Sequence, residues 1–121
     1  MASATAKELD RSLHIFTVPP GLAAETGVKE LGIVKLTVGE EVTAAKRTRS
    51  QPMKLANELT KFSLRMVNGE PVNMGDGTAE EHWANFDPKV RLLALTAYTE
   101  LHQPEEDDMD FFLKSRKVKV G

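Results

Sequence analysis

The stretch VKELGIVKLTVGEEVTAAK, Val28 to Lys46, decides the fold class because its periodicity changes half-way along. Val28 to Leu36 is an extended apolar run of strand type, rich in Leu, Ile and Val. From Thr37 onward the chain reads as a helix start. Thr37 takes the N-cap position and Glu40 stands three residues on, a capping box that satisfies two backbone N–H groups the helix itself cannot. Val38, Val42 and Ala45 then recur at helical spacing and predict the apolar face of that helix.

Upstream, Leu13 to Val18 (LHIFTV) has the β-branched and aromatic content of a second strand, and it stops at Pro19-Pro20-Gly21. The nine residues from Pro19 to Gly27 are expected to return the chain as a long loop, pairing the two strands antiparallel. Two strands alone are marginal, so a helix or another subunit must cover their apolar face. Met1 to Asp10 is small and polar, and residues 1–12 read as a flexible arm.

Downstream the chain turns helical. Pro52 suits a first helical position, and Leu55, Leu59, Phe62 and Met66 form an amphipathic stripe over a predicted helix 53–66. Asn68-Gly69 ends that helix or makes a tight turn, and Gly75-Asp76-Gly77 is a loop. Thr78 and Glu81 predict a second capping box, opening a short helix 79–86 with Ala79, Trp83 and Phe86 on one side. Asp87-Pro88 opens a helix 88–102 whose face is Val90, Leu93, Ala94, Ala97, Tyr98 and Leu101. A last helix, 105–113, has acids at its start and is followed by Lys114, Arg116 and Lys117, as the helix dipole favours. The fold class is therefore α+β: strands at 13–18 and 28–36, then helices at 38–47, 53–66, 79–86, 88–102 and 105–113. The domain organisation that follows is an arm (1–12), one α+β domain (13–103) and a C-terminal helix with a basic tail (104–121) as a possible docking element.

Composition narrows the function. At 121 residues, 40% hydrophobic and 28% charged, the chain has the profile of a soluble globular protein. Sixteen basic against eighteen acidic residues give a net charge of −2, so no global field draws it to nucleic acid or anionic lipid. The absence of cysteine removes disulfides and thiolate chemistry and suits a reducing cytoplasm. No run approaches the ~18 apolar residues of a membrane span, and the residues up to Arg11 include Lys7, Glu8 and Asp10 but no apolar core of a signal peptide.

No catalytic, cofactor or metal site is expected. His14, His82 and His102 lack the spacing that puts two imidazoles on one helix face, and Asp76 lacks the alternating oxygen ligands of a calcium loop. No nucleophile elbow is present. Glu105, Glu106, Asp107, Asp108 and Asp110 read as a solvated helix start rather than paired acid–base carboxylates. The basic residues Lys46, Arg47, Arg49, Lys54, Lys61 and Arg65 have no interleaved aromatics, so they read as a solvated face; Lys46, Arg47 and Arg49 remain candidates for contact with an acidic partner. Met109, Phe111, Phe112 and Leu113 cannot all face one side of a short helix, which makes them candidates for partner binding.

The extended segment running into Thr37-Val38-Gly39-Glu40 and on to Ala44 resembles the N-terminal part of phage tail assembly chaperones. That resemblance covers Val28 to Lys46 and implies a non-enzymatic protein of the host cytoplasm. Such a protein binds the tape-measure protein, keeps its helical segments soluble, assists tail-tube assembly and forms homo-oligomers. The alternative is a small structural subunit of a tail or other virion assembly; a helical nucleic-acid-binding regulator is a further, weaker alternative resting on the basic strip. The region from Trp83 onward matches no pattern of the family.

Overall fold

A computed structural model describes residues 11–49 and 51–119 of the chain. The fold is α+β: a four-stranded antiparallel sheet and six helices among the described residues. The first strand, β1, spans His14–Thr17 and pairs antiparallel with β2, Glu30–Ile33, in the register His14↔Ile33 to Thr17↔Glu30. The predicted strand pair is therefore present, with shorter strands than the apolar runs that announce them.

The connection expected to be a loop is a helix, α1, Pro20–Thr26. Pro20 occupies its first turn, Ala23, Ala24 and Glu25 are good helix formers, and the N–H of Gly27 closes it by donating to Ala23 O at 2.8 Å.

Helix α2, Val38–Thr48, begins at the predicted capping box. Thr37 Oγ1 accepts from the Glu40 N–H at 3.2 Å, and Glu40 Oε1 accepts from the Thr37 N–H at 2.9 Å. Its inward face differs from expectation. Val38 and Val42 are exposed, whereas Ala44 and Thr48 are buried and Glu40 is partly so. Glu40 is held by Arg11 and Arg65, and these pairs turn the Glu40–Ala44–Thr48 side inward.

Helix α3, Pro52–Ser63, ends three residues earlier than its stripe predicted, and Leu64–Val67 forms strand β3. The cause lies just beyond. Asn68 and Gly69 both adopt positive φ (52° and 82°), the two-residue turn whose twist matches a hairpin, and they lead into β4, Glu70–Pro71. Met66 is thus a strand residue. Leu55, Leu59 and Phe62 are only half-buried, while Glu58, Thr60 and Ser63 are the most buried positions of α3. The two hydroxyls tolerate burial because they donate back along the helix, Thr60 to Ala56 O and Ser63 to Thr60 O, both at 2.9 Å.

In the sheet, β3 pairs with β2 through Leu31↔Val67 and Gly32↔Met66, and then slips so that Ile33 faces Leu64. The irregularity has a purpose in packing. Leu64 and Val67 are three apart and would face opposite sides of a regular strand; the extra residue brings both into the core. Gly32 is required opposite: a Cβ there would lie 2.7 Å from Met66 Cβ and 2.9 Å from Leu13 Cδ1.

The core is formed by Leu31, Ile33, Leu64 and Val67 packing on two helices. These are α4, Thr78–Asn85, and α5, Pro88–His102. They contribute Ala79, Trp83, Val90, Ala94 and Ala97, with Phe86 between them, and Leu93 and Leu101 pack at the margin. The predicted face of α5 is thus the inward one, and Asp87 caps it by accepting from the Lys89 N–H at 2.8 Å. The second capping box does not form. Gly77 is the cap of α4, and the Thr78 hydroxyl instead bonds Asp76 Oδ1 at 2.6 Å and accepts from the Asn73 N–H at 3.0 Å. The Asp76 carboxylate, two residues from Thr78 where Glu81 is three away, accepts the Thr78 N–H at 2.9 Å. The last helix, α6, spans Glu106–Lys114 and has no buried residue. No helix among the described residues is long and apolar enough to cross a membrane.

Candidate functional site

Two ion-pair networks account for much of the basic strip. In the first, Glu40 at the start of α2 binds Arg11 Nη1 at 2.8 Å and Arg65 Nη2 at 2.6 Å, joining residues from three parts of the chain. Arg11 also donates to Lys35 O, so the part of the predicted arm that is described is tied to the body; residues 1–10 lie outside the described residues. Partial burial pushes the Glu40 carboxyl up, but the hydrogen bonds from Arg11 and Thr37 and the charges of Arg11 and Arg65 outweigh it and bring it to about 2.

In the second network Glu58 pairs with Lys61 and, at 2.8 Å, with Arg47 Nε; Glu80 receives Arg47 at 3.5 Å and Lys61 at 3.3 Å. Burial raises the Glu58 carboxyl, while the Lys61 and Arg47 hydrogen bonds and charges lower it further than burial lifts it. The Arg47 guanidinium also lies 5.9 Å from the centre of the Phe62 ring. The expectation that Lys61 and Arg65 belong to a solvated face is therefore corrected: both are drawn into internal pairs that clamp helices and strand together. The candidate partner residues Lys46, Arg47 and Arg49 are all exposed, and Arg47 is in addition paired with Glu58 and Glu80.

The candidates on α6 are different. Met109 is 44% exposed, Phe111 77%, Phe112 71% and Leu113 63%, so every large apolar group of this helix faces outward. Met109, Phe112 and Leu113 follow i, i+3, i+4 spacing and share one side, with Phe111 on the other. Three apolar side chains on one turn, uncovered and rimmed by Asp107, Asp108, Asp110 and Lys114, are the composition of a small docking surface rather than of a core. The α6 group and the α2 group lie on separate elements.

At its base α6 borders a groove of about 830 Å³ whose walls include His14, Phe16, Lys35, Glu100, Leu101, Glu105, Glu106, Asp108 and Met109. His14 Nε2 is buried without a hydrogen-bond partner among the described residues. Neither the groove nor the two ion-pair networks was predicted, because each joins residues far apart in the chain. No group of three or more His, Asp or Glu side chains suited to a metal ion occurs among the described residues. No protein-family model, curated protein or solved structure matches the chain.

Proposed function

We propose that this chain is a non-enzymatic assembly chaperone of phage tails, acting in the host cytoplasm on the helical tape-measure protein. The observation that carries the reading is the exposure of Met109, Phe112 and Leu113 along one side of α6. A helix offering an apolar stripe with a charged rim suits the capture of an amphipathic client helix, whose own apolar side would otherwise aggregate. The Val28–Lys46 resemblance supplies the identity of the client; the exposed stripe supplies the means of holding it.

Tape-measure segments that stay soluble on co-expression with this chain, and aggregate when Phe112→Ala and Leu113→Ala are introduced, would support the proposal. Equal solubility with wild type and variant would overturn it. The alternative, a structural subunit, draws on one observation: β1 lies at the edge of the sheet with Leu13 and Ile15 exposed. Recovery of the chain from purified particles would favour that alternative, and its absence from them favours the chaperone.

A further inference from the structure

β1 is the outermost strand of the sheet, and among the described residues no strand pairs with its free side. An edge of this kind offers a row of backbone N–H and C=O groups to an incoming strand. Its two faces differ in chemistry. His14 and Phe16 front the groove that carries Glu100, Glu105, Glu106 and Asp108, with Lys35 as the one Lys or Arg among the described residues of its walls. Leu13 and Ile15 point to the opposite face, where they are 44% and 56% exposed. A strand that completed this edge would need basic residues on one face and apolar residues on the other.

The chain contains such a segment. From Lys117 onward the sequence Lys117-Val118-Lys119-Val120 alternates basic and β-branched residues at the period of a strand. Residues 116–119 form no regular structure and are exposed, Val118 to 71%. We propose that residues 117–119 of a second copy add to the edge of β1 as a fifth strand, with Lys117 and Lys119 facing the acidic groove and Val118 extending the apolar face of Leu13 and Ile15. The strand comes from another copy because the groove touches α6 at Glu106, Asp108 and Met109, near its start, whereas the segment leaves from its far end. Nine helical residues separate the ends by about 13 Å, which sets the segment's start that far from the groove. Neither Phe112 nor Leu113 takes part, so this contact and the client-binding reading fail separately.

The native chain has no cysteine, which makes cross-linking specific. One tagged population carries Ile15→Cys and a second, differently tagged, carries Val118→Cys; both positions are exposed, so neither change disturbs the core. Mixing them with a short bis-maleimide should join the two populations, and an excess of a peptide of residues 115–121 should suppress the product. Lys117→Glu with Lys119→Glu should reduce cross-linking at least about tenfold, since both pairings become repulsive. Cross-linking that appears only when both cysteines are on one chain would overturn the second copy as donor. No cross-linking in either arrangement would overturn strand addition at β1, and cross-linking indifferent to the charge reversal would overturn recognition by the acidic groove.

Discussion

The N–H of Leu36 donates to Nε2 of His102 at 3.0 Å, fastening the end of α5 to the turn that leads from the sheet into α2. Because Nε2 accepts, the ring proton sits on Nδ1, which donates to Tyr98 O at 2.8 Å. The imidazole also stacks on Tyr98 with ring centres 4.1 Å apart. Every bonding group of the ring is used, and the ring fixes the point from which α6 departs.

His102→Ala should therefore leave the buried Leu36 N–H without its partner and cost about 1–3 kcal/mol, the usual penalty for such a group. Urea denaturation of the variant checks this. A loss under about 0.5 kcal/mol would mean that water replaces the ring at no cost.

The sheet makes a sharper prediction than the helical stripe. Leu64 is fully buried, so Leu64→Ala should cost about 2–5 kcal/mol through lost contacts and a residual cavity. Leu59 is only half-buried, and Leu59→Ala should cost about 1 kcal/mol or less. Equal losses would place Leu59 in the core and contradict its half-buried position on α3.

Gly32 and Gly39 should respond in opposite directions. At Gly32 an added methyl meets Met66 Cβ at 2.7 Å, and backbone-anchored atoms cannot swing away, so Gly32→Ala should destabilise by about 1–3 kcal/mol. At Gly39, in the first turn of α2, the nearest atom is Thr37 Oγ1 at 3.9 Å. Gly39→Ala should stabilise by about 0.4–1 kcal/mol by restricting the unfolded chain. Thermal unfolding of the two variants side by side gives the comparison.

What the sequence discloses about this fold is what short-range chemistry decides. The Thr37–Glu40 box and the Asp87 cap depend on residues within three positions of each other, and both form as read. The α5 face is legible for the same reason, since its period is set by one helix. The strand Leu64–Val67 is hidden in the sequence because Met66 continues a helical stripe perfectly well; pairing with β2 and the Asn68-Gly69 turn draw it into a strand. Arg65 reads as solvated because its carboxylate partner Glu40 lies 25 positions away; Lys61 has Glu58 three positions before it, but Glu80, which ties it to α4, lies 19 positions away. The exposed apolar side chains of α6 were recognisable from crowding alone, whereas the groove beside them depends on β1 and α5 meeting at one corner.

Glu40 gives the stability a defined acid dependence. Its carboxyl lies at about 2 in the folded protein against 4.5 for the free group, so folding favours the ionised form. Above pH 4.5 the carboxylate is charged in both states and its contribution is fully present. As the pH falls from 4.5 toward 2 the unfolded chain takes up the proton while the folded chain resists, and the contribution declines; below about 2 it is gone. Discounted for solvent screening of a partly exposed pair, the contribution at neutral pH is about 1–2 kcal/mol. Glu40→Gln cannot be ionised and leaves Arg11 and Arg65 facing a neutral amide, so the variant should be less stable at pH 7 by about that amount. The gap between wild type and variant should narrow steadily below pH 4.5, which urea titrations at pH 7, 4 and 3 would follow. Glu58 also loses stabilisation in acid, its carboxyl being lowered in the same direction, but that loss is common to both proteins and cancels in the difference. A gap that stays constant across the range would show that Glu40 acts through packing and the capping box alone, with no net contribution from its charge.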